Sequence, residues 1–383
     1  MREKREISKI TFLLALLMTF SVNFDSAVVI PIIANYAILL GASQFMAGII
    51  VGIYSIVHIP SNILLGRIVD RVGRKLPLAI GLSLDAFSLM LYSIARDPTS
   101  LFFARLIHGV GGGFGGPATM SYLGDITPKE VSGRRMALYG ISVAFALLIG
   151  FTIGGIGVHF FGYAALFRGT ALLLFLMAVF SLILPTTYNP PMEKISFREE
   201  LLIFKHTVLR RVMIPSYLSI FTVNFNLGII TAVYAVVLKV TGHTHAHIGM
   251  FFALMVLFSI ITHYPAGILG DRIGKRRIII LGLIFTAVSF IILSFSTELL
   301  FPILGMIVLG IGHGMIFPTA AGLICDNTIS QNRGVATGTF YGLIVAGIAV
   351  GAPIAGLIFE VFGAYYAIIS VSYTHLRAHE TEA

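Results

Sequence analysis

Hydrophobic residues along this chain gather into long uninterrupted blocks. Apolar stretches begin near Ile10, Gln44, Pro77, Ser100, Met136, Ala164, Val212, Ile248, Ile278, Leu300, Val335 and Tyr365, and each ends at a charged or Gly/Pro-rich patch. A helix that crosses a bilayer needs about 20 apolar residues, so eleven of these stretches read as full spans. The block from Ile10 to about Tyr36 outruns the roughly 7 to 15 apolar residues of a cleaved signal peptide, so it reads as one retained helix. The twelfth stretch fails: from Ser370 the chain reads SVSYTHLRAHETEA, too polar to cross. VSYTHLRAHET resembles a translated sequencing adapter, so residues 370–383 read as a non-native tail.

Composition agrees with a membrane protein. Of 383 residues, 57% are hydrophobic and only 11% charged, against about 25% charged in soluble domains; mean hydropathy is +0.94. A single cysteine, Cys325, excludes a disulfide framework and any multi-cysteine metal site. With the N-terminus taken as cytoplasmic, lysine and arginine concentrate in the cytoplasmic segments, leaving Arg96 and Lys239 in the opposite loops. That bias orients the N-terminus inward. Basic loops beside an anionic leaflet also account for the net charge of +9 without a nucleic-acid partner.

The chain also duplicates itself at an offset of 201 residues. FSVNFD (Phe20 to Asp25) lies over FTVNFN (Phe221 to Asn226), and Asp70-Arg71 over Asp271-Arg272. Gly109, Gly111, Gly113 and Pro117 fall on Gly310, Gly312, Gly314 and Pro318, and Asp125 on Asp326. Two parallel six-span halves follow, with a central site where they meet. The expected division is 1–185 for the first bundle, 186–211 for a cytoplasmic linker and 212–369 for the second bundle. Within the linker, FREELLIFKHTVLRR suits a helix lying on the membrane surface.

Two tight basic turns recur at the same offset: GRIVDRVGRK with Gly66, Asp70, Arg71, Gly73 and Arg74, and GILGDRIGKR with Gly267, Asp271, Arg272 and Gly274. An aspartate at a helix boundary can accept from free amides and pair with arginine. These residues resemble the loop signature of the major facilitator superfamily. The span-4 segment RLIHGVGGGFGGP, with Arg105, Gly109, Gly111 and Gly113, is similar to that superfamily's second signature, strongest in proton-coupled drug exporters. The resemblance covers Ile10 to about Ile369. It implies an all-α integral membrane fold of two pseudo-symmetric six-helix bundles, twelve spans with the last truncated or replaced. It further implies that Asp70, Arg71 and Arg74 latch the halves in one state and that Arg105 takes part in proton transfer; snorkelling to a headgroup is Arg105's other reading. One departure weighs against antiport: LLIGFTIGGIG (Leu147 to Gly157) lacks the proline that antiporters of this family carry in span 5.

Two acids lie deep in apolar spans, Asp25 and Asp85. A carboxylate removed from water holds a proton more tightly, so it can load from one side and release to the other. Asp25 is the leading proton or cation site, because first spans line the cavity in the family it resembles. Asp85 sits on a span that family keeps peripheral, and a buried structural pair is its other reading. Tyr54, His58 and Asn62 recur every four positions on one helix face. Asn23, Asn224, Asn226, His263 and Tyr341 are further lining candidates. The tract His243, His245 and His247 reads as a solvated outer loop, and no metal site is expected. Gly111-x-Gly113-x-x-Gly116 lies inside a span and so reads as helix packing, while Gly274-Lys275 lacks the upstream glycine of a phosphate loop. No cofactor is expected. The sequence therefore points to a monomeric carrier in the cell membrane that exports a small lipophilic or cationic compound against protons. A proton symporter importing a sugar, organic acid or other metabolite is the alternative, and a non-transporting sensor lies behind both.

Overall fold

The computed structural model describes residues 9–126, 132–186, 210–295, 298–327 and 333–363. Among them every regular element is helical: α1 (Lys9–Val29), α2 (Ile33–Leu39), α3 (Gln44–Val72), α4 (Lys75–Ile94), α5 (Pro98–Asp125), α6 (Ser132–Ser181), α7 (Ile214–Ile229), a π-turn (Ile230–Tyr234), α8 (Ala235–Val240), α9 (His245–Ile273), α10 (Lys275–Leu293), α11 (Leu300–Asp326) and α12 (Arg333–Phe362). Nine described helices are long and apolar enough to cross a membrane. One of them runs through α6, which bends at Gly162 (φ 78°). α5 is not among the nine, since its glycines, Arg105 and His108 lower its apolarity. The exterior carries Leu13, Phe87, Phe103, Phe175 and Ile183 in exposed positions, as expected where hydrocarbon is the solvent. The polar tail and most of the linker lie outside the described residues.

The duplication reaches atomic detail. Ser43 caps α3 by accepting from the Met46 amide, and Thr244 caps α9 by accepting from His247, each at 3.2 Å. The chain turns into these caps through Gly41 (φ 95°) and Gly242 (φ 93°), and leaves the same helices through Gly73 (φ 98°) and Gly274 (φ 103°). Such left-handed backbone favours glycine. At the crossing of α5 with α3, a Cβ on Gly109 would meet the Tyr54 carbonyl; at the crossing of α11 with α9, one on Gly310 would meet that of Met255. Tyr54 and Met255 are themselves repeat mates.

The first span is not the single helix expected to run from Ile10 to about Tyr36. It breaks at residues 30–32, because Pro31 has no N–H to give and its ring crowds the preceding turn. The repeat mate of Pro31 is Ala232, and there the chain stays helical through the π-turn.

Contacts between the halves gather at the end bearing the Gly41 and Gly242 turns. Asn35 Nδ2 donates to the Ala235 carbonyl at 2.8 Å, the Phe45 amide to Glu360 at 2.8 Å, and Tyr163 OH lies 3.2 Å from His245 Nε2. Gly155 of α6 and Gly249 of α9 bring two backbones together: a Cβ on Gly155 would stand 2.7 Å from the Gly249 Cα. The basic turns occupy the opposite end of these helices. The histidine tract is therefore no solvated loop. His243 is buried against His247 and Phe251, and His245 contacts Tyr163 across the halves.

Candidate functional site

Helix α5 is the axis of the site. Asp97 and Ser100 start it with a reciprocal capping box. Its glycine run then lets three helices approach without side chains between them. Gly109 and Gly113 receive α3, Gly111 receives Asp85 of α4, and Gly115 receives Val22 of α1. The two charged or titratable groups of α5 before that run, Arg105 and His108, are thereby held against α1, α3 and α4.

His108 is the centre of the arrangement and is fully buried. Its Nε2 lies 2.8 Å from Asp25 Oδ2, and its Nδ1 lies 2.9 Å from Tyr92 OH and 3.2 Å from an Arg105 guanidinium nitrogen. Arginine offers donors and no acceptor, so Nδ1 accepts. The imidazole hydrogen is assigned by that chemistry to Nε2, and Nε2–H donates to the Asp25 carboxylate. A donor chain thus runs from Arg105 through Tyr92 and His108 to Asp25. Arg105 also donates to the Ile50 carbonyl at 3.3 Å and sits 4.7 Å over the Tyr54 ring, a cation–π contact. At 3% exposure, Arg105 does not snorkel.

Asp85 joins this cluster rather than a peripheral pair. Asp25, Asp85 and His108 each offer an atom within 4.8 Å of the others. Asp85 is 1% exposed, and among the described residues neither of its oxygens has a hydrogen-bond partner; Asp25 Oδ1 also lacks one there. On α3, Tyr54 bonds Ser26 at 3.1 Å, and its ring centroid is 5.2 Å from that of His58. Among the described residues, His58 Nδ1 and Asn62 Oδ1 are buried without partners. Asn23 is turned back to the Thr19 carbonyl of its own helix, Asn224 likewise to Ile220, and Asn226 is buried in α7. In the second half, His313 bonds Ser259 Oγ at 2.9 Å, and His263 bonds the Ser259 carbonyl. Tyr341 is exposed.

The charged cluster belongs to one half. Asp25, Tyr54, Asp85, Tyr92, Arg105 and His108 have as repeat mates Asn226, Met255, Thr286, Leu293, Met306 and Leu309. The second half builds the same helix crossings with apolar or neutral residues, so the fold does not require the charges. His108 was not among the candidates from sequence. Its signal was available: it follows Arg105 by three positions, which places both on one helix face, and its repeat mate is leucine.

At the basic turns, Gly66 lies within α3, and the side chains of Asp70 and Arg71 fall outside the described residues. Arg74 is buried and donates to Asp125 at 3.1 Å and to the Val69 carbonyl at 2.7 Å. Its repeat mate Lys275 pairs with Asp326, the mate of Asp125, and with Asp271 at 3.2 Å. Arg272 is exposed there, and Gly267 has open space beside it. Each turn is therefore tied by an ion pair to the C-terminal end of the second helix after it, α5 for the first and α11 for the second. The first is the more shielded, with side-chain exposures of 5% and 12%; in the second, Asp326 is 56% exposed. Breaking a buried pair costs about 3–5 kcal/mol and an exposed one under about 1 kcal/mol. Asp125→Asn is expected to lower the melting temperature in detergent clearly, and Asp326→Asn to leave it nearly unchanged.

An apolar cavity of about 350 Å³ between α6 and α9, lined by Leu148, Thr152, Ile156, His247, Met250 and Leu257 among others, contains no member of the charged cluster.

A polytopic helical bundle with a buried charged cluster between its spans defines a membrane carrier. The Major Facilitator Superfamily model matches residues 15–219 and again 216–374, and the chain belongs to that family of transporters. It is 25% identical over 351 residues to an MFS-type transporter of Methanocaldococcus jannaschii, covering 90% of each chain. It is 23% identical to Multidrug resistance protein 2 of Bacillus subtilis, covering 78% of each. It is 24% identical to the multi-drug resistance efflux pump PmrA of Streptococcus pneumoniae, over 81% of this chain and 79% of that one. Among solved structures, the nucleoside transporter NupG superposes with a TM-score of 0.80 at 14% identity, over 97% of this chain and 98% of that one. A bacterial homologue of the lysosomal transporter Spinster, in an inward-facing conformation, gives 0.78 at 13% identity over 98% and 93%. At these identities the solved structures speak for the fold alone.

Proposed function

We propose that this transporter exports a small lipophilic or cationic compound in exchange for protons, by alternating access between two bundles, 1–185 and 212–369, joined by the linker 186–211. It works as a monomer in the cell membrane with its N-terminus in the cytoplasm. Asp25 alternates between proton and substrate, Arg105 modulates the proton through His108, and the turn carrying Asp70 stabilises one gate state. The observation that carries this reading is the confinement of the Asp25–His108–Arg105 chain to one half of a duplicated scaffold. Buried charge is costly, and the second half folds without it. Asp25 also lies little more than one turn before the break at Pro31, where a helix can bend. With the basic turns cytoplasmic, the contacts between the halves close the outer end. The multidrug proteins among the relatives support export as the direction.

Import by proton symport is the second reading. α6 has no proline between Leu147 and Gly157, and Gly150 and Gly154 pack directly on α1, so the kink found in antiporters of the resembling branch is absent.

Proteoliposomes with an imposed pH gradient and ethidium, a lipophilic cation, test the proposal. One pH unit is worth about 1.36 kcal/mol per proton, a tenfold concentration ratio for one-for-one exchange. Ethidium should move against its gradient when protons flow the other way. Transport indifferent to the pH gradient would refute proton coupling; accumulation alongside protons would make the carrier a symporter.

A further inference from the structure

We infer that Asp85 of α4 is the proton-holding group of this carrier and passes its proton to Asp25 of α1, across the notch left by Gly111. The inference rests on the proton-coupled reading above and names the ligand and residues of that site.

Three observations lead there. Asp85 is 1% exposed, and both its oxygens are unpartnered among the described residues. A Cβ on Gly111 would overlap its Oδ1, so the helix facing it is hollowed at that point. The repeat mate, Thr286, fills the equivalent notch beside Gly312 and satisfies itself by donating to the Gly282 carbonyl at 2.9 Å. The fold is thus content with a self-satisfied hydroxyl, and the first half carries a carboxyl group with no fixed donor.

The charges around the pair decide what it holds. It is faced by His108 and Arg105 from α5, Tyr92 from α4, and Tyr54 and His58 from α3. His108 is neutral by its contacts, its Nε2–H given to Asp25 and its Nδ1 receiving Tyr92 and Arg105. Arg105 supplies one positive charge and Asp25 one negative. An ionised Asp85 would leave one buried negative charge without compensation, and one monovalent cation or proton removes it. A divalent metal would overshoot, and both nitrogens of His108 are occupied. Three free carboxylate oxygens are few for an alkali cation, whereas a proton needs only a donor oxygen and an acceptor. Asp85 O–H is that donor and the Asp25 carboxylate the acceptor; the two residues offer oxygens within 4.8 Å of each other, a span that one bridging water closes. In the transfer the O–H bond of Asp85 breaks, its electron pair stays on the Asp85 carboxylate, and the new O–H bond forms on Asp25.

The test uses the purified full chain, reconstituted. Infrared difference spectra across pH should show a protonated-carboxyl stretch that disappears in Asp85→Asn and persists in Asp25→Asn. Asp85→Thr installs the residue that the duplicated position already accommodates. It should fold like the wild type, lack the band, lose ethidium transport driven by a pH gradient, and keep ethidium counterflow. A band unchanged by both Asp85 substitutions overturns the inference, as does full pH-driven transport in Asp85→Thr. Sodium- or lithium-dependent shifts of the wild-type carboxylate bands at fixed pH, absent in Asp85→Thr, would replace the proton by an alkali cation and also overturn it. If the band behaves as expected while wild-type transport ignores the pH gradient, the proton site stands and the coupling proposal falls.

Discussion

The Asp25→Asn protein is expected to equilibrate ethidium across a liposome membrane without concentrating it. Asparagine keeps the shape of the side chain and can still accept the His108 Nε2–H bond, and Asn226 occupies the duplicated position in the second half. What it cannot do is take up a proton. In the wild type each pH unit drives the distribution by about tenfold, or 1.36 kcal/mol; in Asp25→Asn the ratio should fall to one at every gradient, with counterflow still measurable but half-saturated at a higher ethidium concentration, since the charge that pairs with the cation is gone. The contrast separates loss of coupling from loss of the carrier, because an unfolded or non-binding protein would lose counterflow as well. Full gradient-driven flux in this variant would remove Asp25 from the mechanism.

Much of this site is legible in the sequence from one rule. A charge in an apolar helix must find a partner or reach water, which singles out Asp25, Asp85 and Arg105 without any coordinates. The rule does not say that they find one another, because that depends on the glycine run of α5 admitting α1, α3 and α4 at neighbouring levels. His108 was hidden for a different reason. A histidine needs no counter-ion when neutral, so nothing flags it until Arg105, three residues earlier, is seen to share its face. The ion pairs at the basic turns were closer to the surface of the text. Arg74 to Asp125 and Lys275 to Asp326 have the same separation of 51 residues, and the duplication aligns both members of each pair. The break at Pro31 was carried by a single residue, overridden by the evenness of the apolar block around it. Of the histidine tract, the contact of His245 with Tyr163 had no local signal, since it is made by the meeting of the halves, whereas His243, His247 and Phe251 recur every four positions.

That meeting gives the second large effect. Gly155→Ala and Gly249→Ala each add one methyl group where another backbone already stands. On Gly155 it would lie 2.8 Å from the Gly249 amide nitrogen, and on Gly249 it would lie 2.5 Å from the Phe151 carbonyl oxygen. No side chain can rotate away to make room, so the helices must separate. Overpacking of this kind costs about 1–3 kcal/mol, which disfavours the state closed at this end by roughly 5- to 150-fold. A carrier that alternates between closures at its two ends must pass through that state, so turnover should fall by about fivefold or more. A membrane-impermeant maleimide should label Asn35→Cys faster in either glycine variant, in a Cys325→Ser background, because Asn35 ties the halves at the same end. Gly169→Ala supplies the control on α6: its added methyl group meets nothing within 4 Å. There the loss of backbone freedom in the unfolded chain should leave turnover unchanged and stability equal or slightly higher. If Gly155→Ala and Gly169→Ala transport equally well, the glycine contact between the halves is not part of the cycle, and closure at this end must be made elsewhere.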